Sequence, residues 1–371
     1  MWIYEHKDWP NFSWDQESVT PCLIKVRHIQ GRLLGRMLAL GFDLKQEASL
    51  NTLTNDVLKS SAIEGEALNP EEVRSSIARR LGIDMASLVP ASRDVEGIVE
   101  MMLDATQNFK KPLTQDRLFD WHAALFPTGR SGMQRITVGA YRPEEAGAMQ
   151  VVSGPIGLEK VHFEAPGSKV LKIEMDAFLK WLDKNSDMDA VITAAIAHLW
   201  FVTIHPFEDG NGRIARAIAD MALARADNTA ERFYSMSAQI EAERKDYYAQ
   251  LEAQQKSDVD ITKWLLWFLK CLERAIEGAE DTLATVLHKS KLWDHLNQTS
   301  VNGRQRLIVN RMFEDFKGHM NTSKYAKLAK CSTDTAFRDI KELLEMGAFI
   351  KNPGSGRSTS YRLASVEELE S

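Results

Sequence analysis

The stretch from Val191 to Ile204 constrains the fold more than any other. It contains no Asp, Glu, Lys or Arg. A helix that is apolar all round has to be buried, so other elements must be built around it. The run His205-Pro-Phe-Glu-Asp-Gly-Asn-Gly-Arg-Ile-Ala-Arg216 follows at once. Ile214 to Ala226 is Ala-rich and reads as a second buried helix. The run is therefore a tight loop between two core helices. Pro206 ends the first helix, because its ring blocks the helical hydrogen bond. Gly210 and Gly212 allow backbone angles that other residues avoid. Such a turn leaves N–H groups of the next helix aimed into the loop, an anion site strengthened by the helix dipole. Arg213 lies in the first turn of that helix, and Arg216 follows one turn later on the same face.

These residue types point to phosphate chemistry. The turn and the two arginines can hold phosphates. Asp209 can hold Mg²⁺ between phosphate oxygens, since hard cations prefer carboxylates. His205 can accept a proton near neutral pH, with an ordinary imidazole pKa of roughly 6.5. A histidine before proline is usually structural, and Gly-Asn-Gly is usually only a turn. The combination in one fixed register reverses that balance.

The run resembles the Fic family motif, HPFx[D/E]GNGRxxR, at every specified position. The resemblance implies a compact helical bundle and transfer of AMP from ATP to a protein hydroxyl. It implies His205 as the base that deprotonates a Ser, Thr or Tyr of the target. It implies Asp209 as the Mg²⁺ ligand and Gly210, Asn211 and Gly212 as the phosphate cradle. Arg213 and Arg216 would bind the β- and γ-phosphates, and Phe207 would anchor the loop in the core.

With 371 residues, 44% hydrophobic and 26% charged, the chain has room for two or three domains. A formal charge of -6 excludes nucleic-acid binding by bulk charge. Cys22, Cys271 and Cys331 lie far apart, form no metal-ligand spacing, and fit a reducing cytoplasm. The first residues show no signal pattern, and no apolar run approaches a membrane span. The expected location is cytoplasmic, with no membrane partner.

Residues 1–50 read as an N-terminal extension. Trp2, Tyr4, Trp9, Phe12 and Trp14 suggest a short strand or turn packed on the bundle, or a partner-binding stripe. A helix is expected over residues 18–41. Another covers 50–61 and runs into Ser60-Ser-Ala-Ile-Glu-Gly65. Taken alone, Glu64 is a solvated charge after a helix. The resemblance changes this, because Ser60, Glu64 and Gly65 match the Fic inhibitory motif [S/T]xxxE[G/N]. It implies that the segment of about residues 51–66 is an inhibitory helix. Glu64 would pair with Arg216 and block γ-phosphate binding, one anion displacing another from the same guanidinium fork.

Helices follow over 69–82 (with Asn69 as N-cap and Pro70 in the first turn), 94–108 and 114–126. From Gly129 to Pro166 glycine and proline are frequent and helical periodicity fails. Val151-Val152 suggests a hairpin as strongly as a plain loop. The resemblance implies a β-hairpin flap here, about residues 149–154 with Gln150, Val151, Val152, Ser153 and Gly154, that docks an extended target segment. Helices over 169–184 and 187–204 lead into the motif at 205–216. A helix over 237–255 carries Tyr247 and Tyr248. Adjacent residues on a helix point about 100° apart, so one can pack while the other borders a cleft. The resemblance assigns the pair to an adenine pocket. The family's asparagine beyond it has Gln255 as its nearest match. An apolar helix over 258–279 closes a Fic domain spanning 51–280.

Residues 301–362 hold twelve Lys/Arg and six Asp/Glu. Expected there are a helix at 322–329, a turn at 331–334, and a helix at 335–346 that buries Phe337, Ile340, Leu343 and Leu344. A hairpin of 348–351 and 360–363 follows. Together they describe a winged-helix domain over 281–371. Thr335, Arg338, Lys341 and Arg357 could face DNA. A protein-docking or dimerising module is the rival reading, and a homodimer is a possible partnership.

The sequence reading is thus a mainly α protein and a protein adenylyltransferase using ATP and Mg²⁺. Its substrate is another protein or the chain itself, and Glu64 restrains it. Two rivals stand beside it. One is a de-AMPylase that uses the same site in reverse. The other is a DNA-binding regulator with a Fic sensor core.

Overall fold

The computed structural model describes residues 1–40, 42–83, 88–154, 160–184, 188–313, 316, 318–353 and 359–369. It is mainly helical and divides into two compact units, Met1–Ala279 and Glu280–Ser371.

The first unit is assembled on α1 (Gln16–Leu38), α2 (Phe42–Ile63), α3 (Pro70–Leu81), α4 (Arg93–Gln107) and α5 (Gln115–Leu125). Two short antiparallel hairpins come next, β1–β2 (Arg130–Ser131, Gln134–Arg135) and β3–β4 (Gln150–Ser153, Lys160–Glu164). Then follow α6 (Ser168–Lys184), α7 (Ala190–Ile204), α8 (Asn211–Asp227), α9 (Met236–Ala242), α10 (Arg244–Gln255) and α11 (Thr262–Leu296). Every residue of α7 from Val191 to Ile204 is buried, as a helix without a polar face must be. It packs along α8, whose alanines let the two backbones approach.

The N-terminal aromatics turn inward. Trp9 and Phe12 stand edge-on to Trp200 at 6.1 and 5.7 Å between ring centroids. Trp2 and Tyr4 do the same to Phe163 of β4 at 5.3 and 6.2 Å. The segment therefore pins the second hairpin to the bundle.

Several boundaries differ from the sequence reading. α2 begins at Phe42 rather than near residue 50, because Leu44 to Ala48 are good helix formers whose single apolar pair, Leu44 and Ala48, is too short to show a periodic pattern. The second hairpin reaches Glu164, so residues 149–154 are only its first strand. The β1–β2 hairpin has two-residue strands, too short for any alternation to show. The helix expected over 237–255 breaks at Glu243, whose carboxylate takes two Arg274 hydrogen bonds of 2.5 Å. α11 runs on past Ala279 to Leu296 because no proline interrupts it. Gly41, the expected end of α1, lies outside the described residues.

The second unit holds the end of α11, α12 (Gly303–Phe313), α13 (Thr322–Leu328), α14 (Thr333–Glu345), β5 (Phe349–Lys351), β6 (Tyr361–Leu363) and α15 (Val366–Leu369). Its core joins Leu292, Ile308, Tyr325, Ile340, Leu343 and Phe349. Phe337 is a correction. It is 56% exposed, because α14 buries the i, i+4, i+7 row Ala336, Ile340 and Leu343, and Phe337 stands about 100° off that row. Arg338 and Lys341 are exposed, and Lys341 meets Glu345 at 3.6 Å. Arg357 lies outside the described residues.

Candidate active site

The loop between α7 and α8 is laced from within. His205 ends α7 in the left-handed region, φ 52°. Asn211 holds Phe207 from both sides, accepting from its N–H at 3.0 Å and donating to its carbonyl at 2.8 Å. The Asn211 side chain is thus taken up inside the loop. Gly210 caps α8 at φ 82°, where a Cβ would crowd the Phe126 ring. Arg142 is buried and grips the same loop. Its N–H donates to the Pro206 carbonyl and its Nε to the His205 carbonyl, both at 2.9 Å.

His205 donates from Nδ1 to the Val202 carbonyl at 3.1 Å, which leaves the lone pair on Nε2. Burial, more than the neighbouring Arg142 charge, lowers its pKa to about 4. The imidazole is therefore neutral and able to accept a proton.

His122 supports the loop from behind. Gly139 N–H donates to its Nδ1 at 3.2 Å, so Nε2 carries the proton and donates to the Asp209 carbonyl at 3.2 Å. Its ring stacks on Phe207 at 4.2 Å. Burial holds it neutral as well, with a pKa of about 4.

The arginines of α8 meet carboxylates. Arg216 is buried and donates from Nη2 to Glu64 Oε1 at 2.7 Å. It also binds Ser60, from Nε to the hydroxyl and from Nη2 to the carbonyl, each at 2.9 Å. Glu64 lies so close over the start of α8 that a Cβ on Gly212 would collide with its carboxylate. Arg213 donates to Glu66 at 2.7 Å and stands 3.9 Å from Asp209. Asp209 accepts from the Ser131 hydroxyl, and its side chain is 41% exposed.

A cavity of about 620 Å³ gathers Glu64, His205, Gly212, Tyr247, Tyr248 and Gln255. Val151, Val152 and Ser153 line it from the flap, while Gln150 bonds Glu164 at 2.6 Å. Gly154 follows at φ 110°. The tyrosines divide as helical geometry requires. Tyr247 is buried and its hydroxyl meets His198 at 2.8 Å, whereas Tyr248 is 38% exposed. A second cavity of about 450 Å³ is lined by Arg130, Ser131, Glu66 and Arg213.

Glu66, Arg142, His122 and Ser131 were missed from the sequence. Only Glu66 had a local signal, the repeated carboxylate of Glu-Gly-Glu around a turn-forming glycine.

A helical bundle with a helix that starts on a glycine turn, a neutral histidine before it and a hairpin beside it is the arrangement of Fic-fold domains. Within that class, residues 112–223 match the model of the Fic/DOC family, and the chain carries a domain of that family. Residues 2–83 match a domain of unknown function, DUF4172. The protein adenylyltransferase Fic of Nematostella vectensis is 26% identical over 227 residues, 60% of this chain and 47% of that protein. The one from Culex quinquefasciatus is 27% identical over 244 residues, 64% of this chain and 44% of that protein. The chain thus spans under half the length of these relatives. A Fic family protein from Desulfovibrio desulfuricans G20 has the same fold, with a TM-score of 0.55, 21% identity, and coverage of 94% of this chain and 96% of that one. A Fic domain containing signaling protein from Bacteroides thetaiotaomicron VPI-5482 has a TM-score of 0.51 at 17% identity, covering 70% of this chain and 96% of its own.

Proposed function

We propose that this chain is a protein adenylyltransferase that moves AMP from ATP to a hydroxyl of a protein target and is restrained by Glu64. The observation that carries the reading is a neutral His205, with its lone pair on Nε2, in one cavity with Glu64 and the start of α8. ATP would lay its phosphates on Gly210, Gly212, Arg213 and Arg216, with its base beside Tyr248. The target hydroxyl loses its proton to His205 and attacks the α-phosphorus, and pyrophosphate leaves. Positioning and charge stabilisation supply most of the acceleration.

Asp209 fits a role as the Mg²⁺ ligand. Among the described residues no group of three His, Cys, Asp or Glu gathers to hold a metal. One partly exposed carboxylate plus the donor's phosphate oxygens is a set Mg²⁺ accepts. The ion would supply charge neutralisation at the phosphates.

Glu64 occupies the Arg216 fork that a phosphate would need. Glu64→Gly should raise ATP-dependent AMP labelling of protein. His205→Ala in that background should lower it by on the order of 100-fold or more, the usual contribution of a general base. Equal labelling by the parent and Glu64→Gly chains would sink the restraint. Glu64 and His205 sharing one cavity also favours removal of AMP from a modified protein. AMP release without ATP by the parent but not by Glu64→Gly would assign that activity.

We read unit 280–371 as a winged helix. Over the whole unit fourteen Lys/Arg face twelve Asp/Glu, so its charge supports a protein partner or a second copy better than DNA.

A further inference from the structure

The flap carries a hydrogen-bonded chain that transfer to a docked target does not use. Ser153 Oγ lies 2.6 Å from His162 Nε2, and His162 Nδ1 lies 2.6 Å from Glu252 Oε2 on α10. Hydrogen bonds from Lys256 and His162 hold the Glu252 carboxyl at about 2, so it is ionised and accepts the Nδ1 proton. His162 Nε2 is then the acceptor and the serine hydroxyl the donor. A hydroxyl, a base within reach and a carboxylate orienting that base make the arrangement of an activated nucleophile.

A regular strand pair would not build it. Val151 pairs with Phe163 and Val152 with Val161, which leaves His162 as the extra residue of a β-bulge. The ladder itself sets Lys160 opposite Ser153. Bulges re-aim side chains and are enriched beside active sites. All three residues line the cavity that holds His205 and Gly212.

We propose that Ser153 is this chain's own acceptor, a serine that takes AMP from ATP in cis. The inference rests on the adenylyltransferase reading. Ser153 Oγ forms a bond to the α-phosphorus. The bond from that phosphorus to the bridging oxygen breaks, and pyrophosphate leaves with the electron pair. The serine proton passes to His162 Nε2, and Glu252 stabilises the imidazolium. The product sets a bulky anion on the flap, where a target strand would have to add.

The test uses the full Glu64→Gly chain with ATP, Mg²⁺ and a cell lysate, with AMP-bearing peptides mapped by mass spectrometry over time. AMP should appear on Ser153, at a rate constant unchanged by tenfold dilution of the chain. His162→Ala and Glu252→Gln should each slow Ser153 labelling, the former by on the order of 100-fold. AMP only on other residues of the chain, or only on lysate proteins, overturns the assignment and leaves the adenylyltransferase reading standing. Labelling that slows on dilution overturns transfer in cis. Ser153 labelling at an unchanged rate in both variants overturns the relay. AMP on no protein at all overturns the inference and the function together.

Discussion

Glu64 and Glu66 flank Gly65, whose φ of 88° turns the chain so that each carboxylate reaches a different arginine of α8. The two pairs differ in setting. Glu66 is 46% exposed and Glu64 is 31% exposed, while both arginines are buried. An ion pair open to water on one side is worth roughly 0.5–1 kcal/mol. Glu66→Ala on top of Glu64→Gly should therefore lower the KM for ATP about twofold to fivefold. Steady-state kinetics on the two variants checks this, and an unchanged KM would show that Glu66 does not compete for Arg213. His205 gives a second expectation. Burial lowers its pKa to about 4, and Glu64 works in the opposite direction by raising it. A base must be neutral, so the acid limb of kcat/KM should lie near pH 4, well below ordinary imidazole. Removing Glu64 should move the limb lower still. A pH–rate profile of Glu64→Gly with its limb near 6.5 would contradict this assignment.

At the scale of elements, what could be read from sequence was what local chemistry decides. α7 announced itself by having no polar face, and α3 by Asn69, whose side chain accepts from Glu71 and Glu72 N–H groups. The motif loop was legible because its glycines, proline and arginines act within one turn. The rest depends on partners distant in sequence. The break between α9 and α10 requires Arg274 to hold Glu243. The second strand of the flap is fixed by Trp2 and Tyr4 against Phe163. The grip of Arg142 on the His205 carbonyl spans 63 residues. Phe337 was misplaced because an apolar residue one step from the core row of an amphipathic helix reads like part of it. At the site itself, the charged members of the motif were legible, while the buried groups that hold it in shape were not.

At the scale of the whole first unit, the packing of α2 beside α8 brings Glu64, just past the end of α2, to 2.7 Å from Arg216. A buried ionic cluster ties the C-terminal half of α2, at Asp56, to the C-terminal half of α8, at Asp220 and Asp227. Arg232 donates to Asp220 of α8 at 3.0 Å and to Asp227 at 3.4 Å. Asp227 also accepts from Tyr234 at 2.8 Å and from Gln30 of α1 at 2.5 Å. Asp56 of α2 sits beside them and accepts from Ser235. Burial and the Asp220 charge push the Asp56 carboxyl upward, while Arg232 pulls it down. Arg232 is the cation that acts on all three acids, with Arg216 adding its charge at Asp220 and Arg27 at Asp227. Removing it takes the largest compensating charge from the buried carboxylates, and breaking a buried ion pair typically costs about 3–5 kcal/mol. Arg232→Met should therefore lower the urea midpoint of the first unit strongly. Adding Asp220→Asn removes one of the stranded charges, so the double variant should be more stable than Arg232→Met alone. Urea unfolding followed by tryptophan fluorescence measures both. A double variant no more stable than the single would mean that Arg232 holds the helices by packing rather than by charge.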